Sequence, residues 1–210
     1  PLMGRLYTVS NVIKLERDMS KRVLILAANP KKESFVSHLA QTYANSAKKQ
    51  HDVKLLNLSD MAFNLDLSDG YENNHSMEDS LKSFQNALEW CEHLVIVTPI
   101  WWGSLPAKLK GLIDRTLLPG FAFQYEEGKL MPEQLLKGRT ARIVMTMDTP
   151  PWYYVLLQGA PAIKQLKTAT LKFVGFHSVK SNMIGPIISS TEKSRNKWVN
   201  TISKLGDYAH

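Results

Sequence analysis

The chain has 210 residues, 44% of them hydrophobic, a single cysteine and a formal charge of +7. That length suits one domain with a sizeable core, and no apolar run approaches the roughly 20 residues a membrane-crossing helix needs. One cysteine excludes an internal disulfide and fits a reducing cytoplasm, while the scattered lysines and arginines lack the aromatic-interleaved basic stripe of a nucleic-acid binder.

Residues 1–18 fit poorly with the rest of the chain. Leu6 to Ile13 is interrupted by Thr8, Ser10 and Asn11, so it makes no signal-peptide core. These residues are expected to be an extension outside one domain running from Met19 to His210. Val23 to Ala28 is a continuous apolar run and predicts a buried strand. Ser34 is placed to cap a helix that carries Phe35, Leu39, Tyr43 and Ala47 on one face. Val53 to Leu58 predicts a second strand, and Met61 to Met77, with Asp66, Asp69, Gly70, Asn73 and Asn74, a polar loop.

Met77, Leu81, Phe84, Leu88 and Cys91 return to helical spacing, with the Cys91 thiol buried in that stripe. Leu94 to Thr98 predicts the third strand. Ser104 is placed to cap a helix with Leu105, Leu109, Leu112, Ile113 and Leu117 as its buried stripe. Residues 118–137 hold Pro119, Gly120, Gly128 and Pro132, too irregular for a plain connection, and suit a subunit contact or a lid. Ala141 to Met147 predicts a fourth strand, Ala160 to Phe173 a helix, Phe176 to Asn182 a fifth strand and Thr191 to Leu205 a closing helix. Strands that are apolar throughout are buried on both faces. Five of them alternating with helices predict a doubly wound parallel sheet in a three-layer α/β/α arrangement.

In such a sheet ligands sit outside the carboxyl ends of the strands. Three loops meet there. Asn29-Pro30-Lys31-Lys32-Glu33-Ser34-Phe35 leads into a helix N-terminus, whose free N–H groups suit a phosphate. It lacks the glycines of the common nucleotide-binding loops. Thr98-Pro99-Ile100-Trp101-Trp102-Gly103 ends a buried strand in adjacent indoles, which suit a flat aromatic ligand. Thr146-Met147-Asp148-Thr149-Pro150-Pro151-Trp152-Tyr153-Tyr154 sets prolines before further aromatics. The histidines show no metal-ligand spacing with each other or with Cys91, and no Gly-x-Ser-x-Gly elbow occurs. With neither metal nor activated nucleophile expected, an organic cofactor is the economical source of chemistry. A phosphate loop beside aromatic turns points to a flavin.

At these residues the chain resembles the NAD(P)H:quinone oxidoreductase branch of the flavodoxin-like fold. Thr98 to Arg115, TPIWWGSLPAKLKGLIDR, is close to that family's signature, and Pro119 to Tyr125, Asn29-Pro30, Glu33 to Phe35 and Gly175-Phe176 also agree. The resemblance covers Arg22 to about Ile187 and implies a flavodoxin-like five-stranded sheet. It implies that Asn29, Ser34 and Phe35 hold the flavin phosphate, and that Pro99, Ile100, Trp101, Trp102 and Gly103 pack on the ring. Thr146, Met147, Asp148, Thr149 and Trp152 supply the second flavin loop. Phe123 and Tyr125 match residues that reach into the partner's pocket in a homodimer.

The expected reaction is two-electron reduction of a quinone or similar acceptor by NAD(P)H in the cytoplasm. Tyr153, Tyr154 and Asp148 are the candidates for proton or charge management. FMN is favoured over FAD because the chain lacks the long C-terminal extension of larger relatives. Two departures stand out: Pro150 and Pro151 replace N–H-donating residues of the second loop, so Thr149 and Trp152 must donate there. Pro161 stands where larger relatives carry a histidine. The rival expectations are a one-electron carrier, a regulatory subunit of a potassium-efflux transporter, and a nitro- or azo-reductase.

Overall fold

The computed structural model describes residues 20–68, 70–71 and 77–209. The expected extension, residues 1–18, lies outside these, as do Asp69, Asn73 and Asn74 of the polar loop. In chain order the elements are β1 (Arg22–Ala27), α1 (Phe35–Ala47), β2 (Asp52–Asn57), α2 (Asp79–Trp90), β3 (His93–Pro99), α3 (Ala107–Thr116), β4 (Phe123–Gln124), β5 (Glu133–Gln134), β6 (Thr140–Thr146), α4 (Pro151–Leu156), α5 (Pro161–Lys164), β7 (Ser178–Ile184) and α6 (Glu192–Tyr208). The main sheet is parallel with strand order β2-β1-β3-β6-β7.

Side chains of a strand alternate between faces, and here each face meets its own helices. Leu24, Leu26, Leu94 and Ile96 pack with Leu81, Phe84, Leu109 and Leu112 of α2 and α3. Val23, Ile25, Val95 and Val97 pack with Val36, Leu39 and Tyr43 of α1 and Ile202 of α6. All of β3 is therefore buried. The capping expectation for α1 is met: the Ser34 hydroxyl accepts from Ser37 N at 3.1 Å. Cys91 is buried, its thiol donates to Leu88 O at 3.3 Å, and burial pushes its pKa up to about 12.

Several local expectations are corrected. Ser104 caps no helix. Its backbone closes a turn with Trp101, buried Leu105 comes next, and α3 starts behind Pro106. The expected helix Ala160 to Phe173 divides into α5 and a wider, π-helical stretch, Gln165–Lys172. The carbonyls at its end, Lys172 O and Phe173 O, accept from the Gln134 amide at 2.9 and 3.1 Å. The last strand begins at Ser178, because Phe176 is bonded back to Leu171 O. The irregular 118–137 stretch contains a small antiparallel pair, β4 with β5.

Candidate active site

Three loops leave adjacent carboxyl ends of the sheet. β1 and β3 run in register, Ala27 beside Val97, and Pro99 lies beside Thr146 of β6. The loops after β1, β3 and β6 therefore share one edge, at the point where strand order reverses and ligands of such sheets bind.

The β1 loop is shaped by Asn29, which is buried and accepts from Lys31 N at 3.0 Å. It delivers the chain to the α1 N-terminus. Ser34 satisfies Ser37 N and His38 N, while the N–H groups of Phe35 and Val36 have no protein acceptor among the described residues. The Phe35 ring lies half-buried, 6.3 Å from Trp198, with the Arg195 guanidinium 6.0 Å above it. Arg195 is held in place by Ser190 Oγ at 2.8 Å. Sequence reasoning missed Arg195 and Trp198, since they come from α6 and nothing local ties them to this loop.

The β3 loop is a tight hairpin. Trp101 and Ser104 exchange backbone hydrogen bonds of 3.0 and 2.9 Å, and the central residues Trp102 and Gly103 have φ of 52° and 72°. Positive φ at both positions is what a type I′ turn demands. A glycine accepts that freely; a tryptophan does so under strain. Trp102 is fully exposed and Trp101 45% exposed. Ile100 N donates to Thr146 O at 2.8 Å, fastening this turn to the neighbouring strand end.

In the β6 loop Thr146 and Met147 are buried. Met147 uses both backbone groups, to Ile184 O and from Ile187 N, so these residues shape the edge from beneath. Asp148 is exposed and accepts from Ile188 N at 2.9 Å. Trp152 and Tyr153 are exposed, their rings edge to face at 5.9 Å. The N–H groups of Trp102, Gly103, Asp148, Thr149 and Trp152 have no protein acceptor among the described residues.

Two expected site residues are moved. Tyr154 is fully buried; its hydroxyl donates to Gly103 O at 3.1 Å and accepts from Ala162 N at 2.9 Å. Burial raises its pKa, against the Ala162 N–H. With both bonding directions filled and no open face, it is not a proton donor to a ligand. Phe123 is 6% exposed and packs edge-on against Phe173 at 5.4 Å and Tyr125 at 5.5 Å. Its ring belongs to its own chain's core, and Tyr125 alone of that pair is presented outward. No group of His, Cys, Asp and Glu among the described residues is arranged to hold a metal.

A family model described as "Flavodoxin-like fold" matches residues 21–205. The chain belongs to the flavodoxin-like fold family. Among its relatives, an Escherichia coli protein named as an uncharacterized NAD(P)H oxidoreductase, YcaK, is 33% identical over 54% of this chain and 60% of its own. A Coprothermobacter proteolyticus protein named FMN-dependent NADH:quinone oxidoreductase is 28% identical over 62% of this chain and 72% of its own. The crystal structure of Smu.1420 from Streptococcus mutans superposes with a TM-score of 0.77 at 26% identity, covering 88% of this chain and 98% of that one. The chain spans about three fifths of the length of several curated relatives it matches. The donor set of this family member fits a flavin mononucleotide: a helix N-terminus with unused N–H groups for a phosphate, unused N–H groups on both turns for a polar ring edge, and indoles for a flat face.

Proposed function

We propose that this protein is an FMN-dependent NAD(P)H oxidoreductase that reduces quinones or similar acceptors by two electrons. The observation that carries the reading is the shared edge itself, where unused backbone donors and exposed aromatics from three loops converge. The names of the Escherichia coli and Coprothermobacter proteins support it. Bound FMN would supply a hydride acceptor from NAD(P)H and a hydride donor to the quinone.

The chain's own part is to bind and to position. The α1 N-terminus, with Ser34 and the Arg195 guanidinium nearby, would hold the phosphate through its free N–H groups and positive charge. The free N–H groups of Trp102, Gly103, Asp148 and Thr149 would hold the polar edge of a bound ring and favour negative charge there. Trp101, Trp102 and Trp152, exposed at this edge, would offer flat apolar surface to a bound ring. The exposed Tyr153 hydroxyl and Asp148 carboxylate are the side chains at this edge assigned to proton or charge management.

A homodimer completes the site in this reading. Val155, Leu156 and Leu157 after the aromatic loop, and Tyr125, Leu130 and Met131 on the hairpin, are large apolar side chains left exposed in one chain. Exposed apolar clusters of that kind mark interfaces. No helix among the described residues is long and apolar enough to cross a membrane, and the reading places the enzyme in the cytoplasm. The test is an anaerobic titration of the FMN-reconstituted protein with NADPH, followed in the visible. Stoichiometric bleaching in a single two-electron step, reversed by added quinone, is expected. A bound flavin that stays oxidised would sink the dehydrogenase reading.

A further inference from the structure

We infer that the Tyr154 hydroxyl is a positioning strut that sets the Trp101–Ser104 turn and thereby the donors this turn offers a flavin, a role that rests on the proposed function for its ligand. Tyr154 is fully buried, so a phenylalanine would fill the same space. What the oxygen adds is a pair of bonds between segments far apart in the chain. It donates to Gly103 O, in the β3 loop, at 3.1 Å, and accepts from Ala162 N, in α5, at 2.9 Å. A buried hydroxyl without partners is costly; this one has a donor and an acceptor and acts as a link of fixed length.

The turn needs such support. Trp102 has φ of 52° with its indole wholly in solvent, so no packing of that ring repays the strain. Its flanking supports are Ile100 N to Thr146 O at 2.8 Å and a long contact, 3.4 Å, from Ser104 Oγ to Gln165 Oε1. Only Tyr154 among the described residues bonds a central residue of the turn. Fixing the Gly103 carbonyl fixes the peptide plane after it and, with the Trp101–Ser104 bonds, the directions of the Trp102 and Gly103 N–H groups. The strut also joins two of the loops at the edge, because Tyr154 belongs to α4, directly after the β6 loop.

The test compares Tyr154→Phe with Tyr43→Phe. Tyr43 is also fully buried, packs on the other face of the sheet with its hydroxyl 3.5 Å from His93 Nε2, and makes no hydrogen bond to the Trp101–Ser104 turn. Two readouts are taken, FMN dissociation constant by flavin fluorescence and amide hydrogen exchange at Trp101 and Ser104, whose N–H groups close the turn. Tyr154→Phe is expected to weaken FMN about tenfold and to speed exchange at those amides about tenfold, the size of one lost hydrogen bond. Tyr43→Phe should lower stability and leave both unchanged. In a Gly103→Ala background, which disturbs the turn directly, the Tyr154→Phe effect should shrink. Unchanged affinity and exchange in Tyr154→Phe, with stability lowered as in Tyr43→Phe, would overturn the inference. If the wild type binds no FMN, the functional reading fails, while exchange at Trp101 and Ser104 still decides whether the strut exists.

Discussion

Leu65 crosses α3 where a side chain on Gly111 would stand: a β-carbon at 111 would lie 3.2 Å from Leu65 Cα and 3.0 Å from its Cδ2. This glycine is there for close approach. The strap it admits runs from β2 toward α2 and is gripped one residue earlier, where Asn64 O accepts from the Arg115 guanidinium at 2.6 Å. Arg115 is buried and also pairs with Glu78 at 2.8 Å, at the far end of the same strap. The Gly111 and Arg115 of the signature stretch thus lock a loop across α3, the helix that begins just after the aromatic turn.

Gly111→Val should therefore destabilise the protein by about 2 kcal/mol, the usual size of an overpacking penalty. The better helix propensity of valine offsets only a few tenths of that. Urea unfolding measures it; a wild-type midpoint would mean that the strap gives way freely.

Arg115→Met should cost about 2 kcal/mol, because charge-assisted hydrogen bonds to Asn64 O and Glu78 are lost together. It should also alter the acid limb. Burial works to raise the Glu78 pKa, but the Asn64 N–H and Arg115 outweigh it and hold the carboxyl below its ordinary 4.5. As pH falls through 4.5 the unfolded chain takes up the proton first, so stability drops until the folded carboxylate is protonated too. The wild type should lose more stability over that window than Arg115→Met, as urea midpoints from pH 6 to 3 would show.

Most of this architecture was legible in the sequence. The apolar runs at Val23, Leu94 and Ala141 are short, continuous and rich in β-branched residues, which suits strands buried on both faces, and their alternation with helical stretches points to a parallel sheet. The three site loops were legible for the same reason, since they are strand ends. What escaped depends on contacts made at long range. The π-helical Gln165–Lys172 keeps an apolar spacing that an α-helix also fits. Tyr153 and Tyr154 are the same residue type side by side, and only the partners Gly103 O and Ala162 N separate an exposed ring from a buried strut. Phe123 looks like an outward aromatic until Phe173 is brought against it. Arg195 enters from the last helix, with no local mark of its place over Phe35.

Ser34→Asp separates the cap from the proposed phosphate site. Aspartate caps a helix as well as serine, and its charge suits the helix dipole, so stability should stay within about 0.5 kcal/mol of wild type. A carboxylate at that point repels a phosphate, and FMN affinity should fall about a hundredfold or more. Equal FMN affinity by fluorescence titration would move the phosphate away from α1.

Alkali should unfold the protein through its buried acids. Burial raises Cys91 from 9.0 to about 12 and Tyr43 from 10.0 to about 12. Between pH 9 and 12 the unfolded chain releases these protons while the folded chain keeps them, so stability falls as pH rises. Cys91→Ala should flatten the first part of that fall. At pH 8 the native thiol should resist a disulfide reagent such as dithionitrobenzoate and react promptly in denaturant; fast native labelling would show that Cys91 is reached by solvent.

Trp102→Gly should trade function for stability. The indole is wholly in solvent, so removing it loses no packing, and glycine takes φ of 52° without the penalty an L side chain meets there, about 1 kcal/mol. Glycine's extra freedom in the unfolded chain returns part of this, leaving a gain of about 0.5 kcal/mol. If the strain is kept because the ring walls the flavin edge, the same variant should raise KM for a quinone about tenfold while FMN remains bound. A stabilised variant with unchanged quinone kinetics would instead assign the exposed indole to contacts between chains, and a lowered tendency to dimerise in sedimentation would then accompany it.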